Sequence, residues 1–289
     1  MDIRAMLMGL AFAAMWSSAF TSARIIVTAA PPLMALSLRF LLSGIIAIAI
    51  ARAMGQSWRL TRGQWRATII FGLCQNALYL GLNFVAMQTI EASLAAIIAS
   101  TMPLIVALAN WLVFREKLPA LGIAGLVAGI GGVVLIMGAR LSAGVDVWGV
   151  ALCILGAASL AAATLTVRTA NARGNVLMVV GLQMLVGAAA LALPAALFET
   201  PVFEPSWTLL IAFLYTVLVP GVLATLVWFL LVERIGAVKA ATFHFLNPFL
   251  GVLIAAALLG EALGWADFVG VAVIAAGILA VQLARVQRA

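Results

Sequence analysis

Long apolar runs without charged residues follow one another along almost the whole chain, and short polar loops separate them. None of these runs alternates polar and apolar residues as a strand of a transmembrane barrel would, so helices are favoured. Many of these runs exceed the roughly 20 residues that a helix needs to cross a bilayer. The pattern predicts an all-α polytopic membrane protein with ten transmembrane helices, called spans 1 to 10, near residues 5–28, 31–52, 67–89, 92–114, 118–139, 147–168, 175–197, 206–232, 238–260 and 263–284.

The second half of the chain repeats the first. A shift of 145 positions aligns residues 83–136 with residues 228–281 without a gap. Pro103 then falls on Pro248 and Glu116 on Glu261. Matched prolines and glutamates indicate a duplication, because two apolar sequences share Ala and Leu by chance but not these residues. We therefore predict two five-helix repeats, residues 1–142 and residues 143–289.

Composition and charge orient the spans. The chain is 66% hydrophobic and 9% charged, which excludes a soluble globular domain. With the N-terminus in the cytoplasm, thirteen Lys and Arg residues are cytoplasmic, only Arg24 and Arg140 are outside, and Arg39 lies within span 2. This bias predicts a protein of the inner (plasma) membrane with both termini cytoplasmic. It also explains the net charge of +7 without a nucleic-acid partner.

Five spans per repeat is an odd number, so the second repeat is predicted to be inverted in the membrane relative to the first. The matched loops agree with this prediction. Basic residues Arg115 and Lys117 flank Glu116, whereas Gly260 and Ala262 flank Glu261. Inverted repeats are typical of transporters that alternate access to a site near the membrane midplane.

The chain resembles the drug/metabolite transporter superfamily, and within it the EamA-type ten-helix exporters. The resemblance covers almost the whole chain and rests on the doubled five-helix unit. It also rests on Trp16-Ser17-Ser18, on the LRFLL segment at residues 38–42, and on the segments that end in Pro103 and Pro248. Within the family the chain is similar to YddG-type exporters of aromatic amino acids. The resemblance implies export of small metabolites from the cytoplasm through a central cavity between the repeats.

Polar and aromatic side chains inside the spans are the candidates for lining such a cavity, because in lipid they must face inward. Asn76, Tyr79 and Asn83 are spaced as one face of a helix in span 3, with interhelical hydrogen bonding as the alternative. Trp16 is far from both ends of span 1 and is the leading aromatic candidate, with core packing as the alternative. Further candidates for substrate binding are Thr101, Tyr215, Trp228, His244 and Asn247.

Two of the polar candidates leave their role open. His244 is the single histidine, and it either binds substrate or forms a structural hydrogen bond to a backbone carbonyl. Proton coupling ranks below both. Arg39 needs acceptors inside the membrane, either a substrate carboxylate or the carbonyls of a helix end, and the second is favoured.

Four further residues have predicted structural or gating roles. Pro103 and Pro248 remove helical hydrogen bonds and are expected to kink spans 4 and 9, either as static bends or as hinges. Glu116 and Glu261 are expected to open spans 5 and 10 as N-terminal caps, and to act in gating second.

Small residues predict how span 5 packs. Gly125 and Gly129 allow close approach, and span 10 with Gly270 and Gly277 is the expected partner. A homodimer interface is the alternative, so the protein is expected to be a monomer or a homodimer.

These features predict a secondary transporter that exports small metabolites, with aromatic or other apolar amino acids as the expected substrates. One histidine and two separated cysteines form no recognisable catalytic or metal site, so no enzyme activity and no cofactor are expected. No P-loop pattern indicates ATP hydrolysis. The alternatives are an importer, a proton-coupled drug exporter, a channel and a membrane-embedded enzyme. The expected partners are the substrate and the lipid bilayer.

Overall fold

Ten helices form the bundle, one for each predicted span. The structure, a computed structural model, describes residues 3–113, 115, 118–167 and 175–286. All ten membrane-length helices lie within these residues, which confirms the predicted fold class. The helices are α1 (Ile3–Val27), α2 (Pro32–Ala53), α3 (Arg62–Ala86), α4 (Ala92–Leu112), α5 (Ala120–Ser142), α6 (Val147–Val167), α7 (Val176–Phe198), α8 (Trp207–Ile235), α9 (237–259) and α10 (Trp265–Val286).

Helix α3 begins at Arg62, about one turn before the apolar run that predicted it. The hydroxyl of Thr61 accepts the Gln64 N–H at 3.3 Å, and the Gln64 side chain accepts the Thr61 N–H at 2.9 Å. This reciprocal capping box satisfies two amides at the start of the helix. Helix α3 therefore starts with a polar turn that hydropathy alone does not detect.

The two most extensive contacts between the repeats are those of α2 with α7 and of α5 with α10. In the second pair the backbones touch. A Cβ added to Gly277 would lie 2.6 Å from the Gly125 carbonyl oxygen, and one added to Gly132 would lie 2.8 Å from the Gly270 carbonyl oxygen. The predicted pairing of span 5 with span 10 is confirmed, since glycines allow this approach.

Helices α3 and α8 each contain a π-helical segment, Gly72–Tyr79 and Val219–Leu223. A shift of 145 positions places residues 219–223 on residues 74–78, inside the π-helical segment of α3. The two repeats therefore share this irregularity at matched positions. π-Helical turns inside α-helices are frequent at functional sites.

Helices α4 and α9 are interrupted near the two matched prolines. Helix α4 divides into α4a (Ala92–Ser100) and α4b (Met102–Leu112), with Pro103 in the first turn of α4b. Helix α9 divides into α9a (Ala237–Ala241), a 3-10 turn (Thr242–Leu246) and α9b (Asn247–Leu259), with Pro248 in the first turn of α9b. Proline is tolerated in a first turn because its missing N–H has no helical partner there. The interruptions are present as predicted, and a hinge role stays a prediction.

The ends of the bundle differ in charge. At the end where the even-numbered helices begin, called the acidic end, Arg140 pairs with Asp267 at 3.0 Å and with Glu91 at 2.5 Å. Glu199 accepts the N–H groups of Leu33 and Met34 at the start of α2, both at 2.8 Å. The pair Arg140–Asp267 and the Glu199 cap both join the first repeat to the second. The described carboxylates at this end are Glu91, Asp146, Glu199, Glu204, Glu261 and Asp267.

Candidate substrate cavity

A small cavity lies between the repeats, where α1, α2 and α3 of the first repeat face α8 of the second. Its volume is about 40 Å³, close to the roughly 30 Å³ that one water molecule occupies in the liquid. Pockets that hold small molecules have roughly 300–1,000 Å³. In this conformation the cavity is therefore too small for a metabolite, which enters only after the helices move. The polar and aromatic residues of its lining are Trp16, Phe20, Arg39, Tyr79, Asn83, Phe84 and Thr216, and Pro220 also contributes.

Four residues singled out in the sequence meet at this cavity. Trp16, Tyr79 and Asn83 were expected in the lining, and Arg39 was expected at a helix end. The Asn83 side chain is already engaged, because its Nδ2 donates to the Tyr79 carbonyl at 2.7 Å and its Oδ1 accepts from Cys153 Sγ at 3.3 Å. Asn83 therefore shapes the wall, while the Trp16 ring and the Arg39 guanidinium form its aromatic and cationic parts.

Arg39 contacts a carbonyl that a proline leaves free. In a regular helix the N–H of residue 220 would bond to the carbonyl of Thr216, but Pro220 has no N–H. Arg39 Nε lies 3.4 Å from that carbonyl oxygen. The Ser43 hydroxyl donates to the next carbonyl, of Val217, at 3.0 Å. Helix α2 thus supplies donors to the irregular end of the first segment of α8.

The expectation that Asn76 shares a face with Tyr79 and Asn83 is wrong. Asn76 packs against α7, since a Cβ added to Gly187 would lie 2.4 Å from the Asn76 Cβ. The physical reason is the π-helical segment, which has more residues per turn than an α-helix and so rotates Asn76 away from the later residues. Asn76 is therefore part of the contact between α3 and α7 and does not line the cavity.

His244 belongs to an aromatic cluster next to the cavity. Its ring centroid lies 5.1 Å from that of Trp228, at an interplanar angle of 89°, and 5.3 Å from that of Phe12. Phe12 also contacts Trp16, with ring centroids 5.7 Å apart. His244 Nδ1 lies 3.2 Å from the Ala241 carbonyl oxygen. Because a carbonyl only accepts, Nδ1 carries the proton in this contact and Nε2 is the nitrogen left for other partners.

Three further candidates do not line the central cavity. The Tyr215 hydroxyl is 2.7 Å from Ser18 Oγ, which ties α8 to α1. Thr101 donates its hydroxyl to the Ile98 carbonyl of its own helix at 2.7 Å. Asn247 is 8% exposed, and its Oδ1 is buried without a partner among the described residues. Tyr215 and Thr101 therefore have structural contacts in this state, and Asn247 keeps a free acceptor.

Glu261 caps a different helix from the one expected. Helix α9 ends at Gly260 in the left-handed conformation (φ 67°), which turns the chain back towards α4. The Glu261 carboxylate then accepts the N–H groups of Ala92 at 2.7 Å and Ser93 at 2.9 Å. The expectation that it opens span 10 is wrong, since α10 begins at Trp265. Its matched residue Glu116 lies outside the described residues.

A larger cleft, of about 550 Å³, opens at the acidic end. Gln88, Glu199, Phe203 and Glu204 contribute to its lining. None of the residues singled out in the sequence lines it. Glu199 is already held at the start of α2, so we place the candidate site at the smaller, central cavity.

Sequence reasoning missed three contributors to the central site. Thr216 and Ser22 have hydroxyls 2.8 Å apart, which adds a second tie between α1 and α8. Phe12 joins Trp16 to the cluster of His244. The signal that could have located this region is the Pro220-Gly221 pair in the middle of span 8.

Comparisons with known proteins agree with this architecture. The sequence model of the EamA-like transporter family matches residues 3–138 and again residues 147–283. The uncharacterized transporter YvbV of Bacillus subtilis is 26% identical over 271 residues, which are 93% of this chain and 88% of YvbV. The uncharacterized inner membrane transporter YedA of Escherichia coli is 27% identical over 274 residues, with the same two coverages. A protein known from a crystal structure is 25% identical and superposes over 100% of both chains with a TM-score of 0.72.

The family expected from the sequence is therefore confirmed. The two matches to the family model cover most of the chain, and the relatives are similar over nearly their whole lengths. The ten membrane-length helices agree with the inner membrane location in the name of YedA. This chain belongs to the EamA-like transporter family and is a multi-pass transporter of the inner membrane.

Proposed function

We propose that this protein is a secondary transporter that exports small metabolites from the cytoplasm, with aromatic or other apolar amino acids as substrates. The observation that carries the proposal is the central cavity, which both repeats line and which combines the aromatic ring of Trp16 with the cationic Arg39. Aromatic walls suit an apolar or flat side chain.

We propose alternating access because α4 and α9 pack differently towards the two ends of the bundle. In the half near the acidic end α4a packs against α9b, and a Cβ added to Gly251 would lie 2.6 Å from the Ala96 Cβ. In the other half α4b packs against α5, α6 and α10, whereas the 3-10 turn of α9 packs against α1 and α10. The contacts between the repeats thus involve different helix pairs at the two ends, and we propose that opening alternates between the two ends.

We infer the orientation from the Lys and Arg bias, which favours the acidic end outside and both termini in the cytoplasm. In that orientation the contacts of Glu261 and Glu199 join the two repeats on the outer side. We propose export as the direction of transport, as in the EamA-type exporters that the sequence resembles.

Facilitated diffusion fits the surroundings of His244 better than tight proton coupling does. The groups that contact the ring are the Ala241 carbonyl, Phe12 and Trp228, and among the described residues no carboxylate pairs with it. A histidine that couples protons commonly works with a partner that accepts or supplies charge. We therefore propose that His244 shapes the substrate site.

The test is uptake of labelled phenylalanine, tryptophan and threonine into proteoliposomes, with and without a pH gradient. We expect saturable uptake of phenylalanine and tryptophan without a gradient. Replacing His244 by Ala is expected to raise KM about tenfold, as loss of a ground-state contact does. The matched control is Leu253→Ala in the same helix, because Leu253 is exposed on the outer surface of the bundle.

Two outcomes contradict the proposal. If none of the three amino acids is transported, the amino-acid substrate class is wrong. If transport occurs only with a proton gradient and is lost in His244→Ala, the protein is proton-coupled and His244 has a different role.

A further inference from the structure

Arg39 places a positive charge inside the membrane next to the central cavity. It lies in the first half of α2 and is only 6% exposed. Its guanidinium carbon is 4.6 Å from the centroid of the neighbouring Phe40 ring. A charged side chain at such a depth costs several kcal/mol unless polar groups surround it, so its presence calls for a partner.

The described residues accept only part of the hydrogen bonds that Arg39 can donate. A guanidinium has five N–H donors. In Arg39 the single hydrogen bond to another described residue is the long one from Nε to the Thr216 carbonyl, 3.4 Å. The described ion pairs both belong to Arg140 at the acidic end, so no described carboxylate neutralises Arg39. The two terminal nitrogens therefore keep their donors for something else.

The cavity determines what that partner can be. Arg39 lines it together with Trp16, Tyr79 and Thr216. A planar guanidinium binds a carboxylate through two parallel N–H···O bonds, which neither a neutral amide nor an ammonium group can accept in the same way. A ligand with an anionic group at one end and an apolar group at the other matches the cationic and aromatic parts of the wall.

We propose that Arg39 binds the carboxylate of the transported substrate. The proposal rests on the proposed transport function and names the chemical class of its substrate: an organic acid or a zwitterion with an apolar side chain. In the closed state the Thr216 carbonyl occupies one donor of Arg39. When the cavity widens, the substrate carboxylate replaces this weak contact and takes the two terminal nitrogens.

The proposal differs from a purely structural role in one measurable respect. A structural Arg39 holds the end of a segment of α8, and its loss would weaken the binding of all ligands alike. An Arg39 that binds the carboxylate discriminates between an acid and its amide. Ser43 provides the matched control, since its hydroxyl holds the neighbouring Val217 carbonyl at 3.0 Å but carries no charge.

The experiment compares phenylalanine with phenylalaninamide, and 3-phenylpropionate with 3-phenylpropionamide. Binding is measured as the ligand-induced shift of Tm for the purified full-length protein, and transport is measured in proteoliposomes. In the wild type we expect each acid to bind at least about 30-fold more tightly than its amide, as for a buried charge pair. Arg39→Gln should remove this preference, and Arg39→Lys should keep part of it because the charge stays while the fork is lost. Ser43→Ala should keep the preference.

Equal binding of acid and amide by the wild type overturns the proposal. An equal loss of affinity for both ligands in Arg39→Gln overturns it too. If Arg39→Gln does not fold, the acid–amide comparison in the wild type and in Arg39→Lys decides alone. Failure of the transport function is distinguishable from failure of the site. Arg39-dependent binding of acids without transport contradicts the function only, whereas transport without a preference for acids contradicts the site only.

Discussion

Glu261 and Ala92 join the two repeats at the acidic end: Oε1 of Glu261 accepts the Ala92 N–H at 2.7 Å. The second carboxylate oxygen accepts the N–H of Ser93 at 2.9 Å. One side chain of the second repeat thus satisfies two free amides at the start of α4a in the first. A carboxylate at this position also interacts favourably with the positive end of the helix.

Replacing Glu261 by Ala should therefore lower the free energy of unfolding by about 1–2 kcal/mol, the usual effect of losing an N-terminal cap. The measurement is Tm in detergent. Glu204→Ala is the control, because the Glu204 side chain is exposed on the same end of the bundle. Equal Tm values for the two variants would contradict the cap.

Close packing of α5 against α10 predicts a large effect of one methyl group. A Cβ added to Gly277 would lie 2.6 Å from the Gly125 carbonyl oxygen and 2.8 Å from the Gly129 nitrogen, both backbone atoms. Gly277→Ala must separate the helices and should cost about 1–3 kcal/mol of stability. Gly131→Ala in α5 is the control, since no atom lies within 4 Å of its added Cβ. The control should leave the free energy of unfolding unchanged or raise it by up to about 1 kcal/mol. An unchanged stability of Gly277→Ala would contradict the prediction, because it would show that the helices separate easily.

Asp146 predicts a dependence of stability on pH. The hydrogen bond from the Thr89 hydroxyl, at 2.6 Å, and those from the backbone N–H groups of Gly149 and Trp148 lower the pKa of Asp146 below its ordinary value of 3.8. The stabilisation is therefore complete above about pH 4 and is lost as pH falls through the lower pKa of the folded protein. The difference in Tm between wild type and Asp146→Asn should shrink on acidification in this range. A difference that grows instead would contradict the assignment.

The interruptions at Pro103 and Pro248 predict an effect on transport rate. If they act as hinges, replacing both by Ala should extend α4 and α9 as regular helices and reduce the rate about tenfold. Pro194→Ala is the control, because Pro194 lies inside α7, which packs lengthwise against α2. Transport by the double variant at the rate of the wild type would exclude a hinge at these positions.

Features that depend on long stretches of chain were predictable from the sequence. Each span contains about 20 predominantly apolar residues, so its hydropathy signal is large. The repeat was visible because Pro103 and Pro248 recur at a constant shift. Gly125 and Gly277 indicated the packing of α5 against α10 because small residues permit close approach in membranes.

Features that depend on a single contact between repeats were not predictable. Glu261 precedes α10 in the chain, and nothing local shows that Gly260 turns it towards α4a. The face occupied by Asn76 depends on the π-helical segment, which the spacing of polar residues does not reveal. Likewise, Arg39 and Pro220 lie 181 positions apart in the chain, and only the packing of α2 near α8 shows that they line one cavity.

The small volume of the central cavity has a consequence for the speed of transport. A space of about 40 Å³ is far below the roughly 300–1,000 Å³ of a pocket that holds a small molecule. Substrate therefore binds only after the cavity widens, and the frequency of that opening sets an upper limit on the turnover of the transporter.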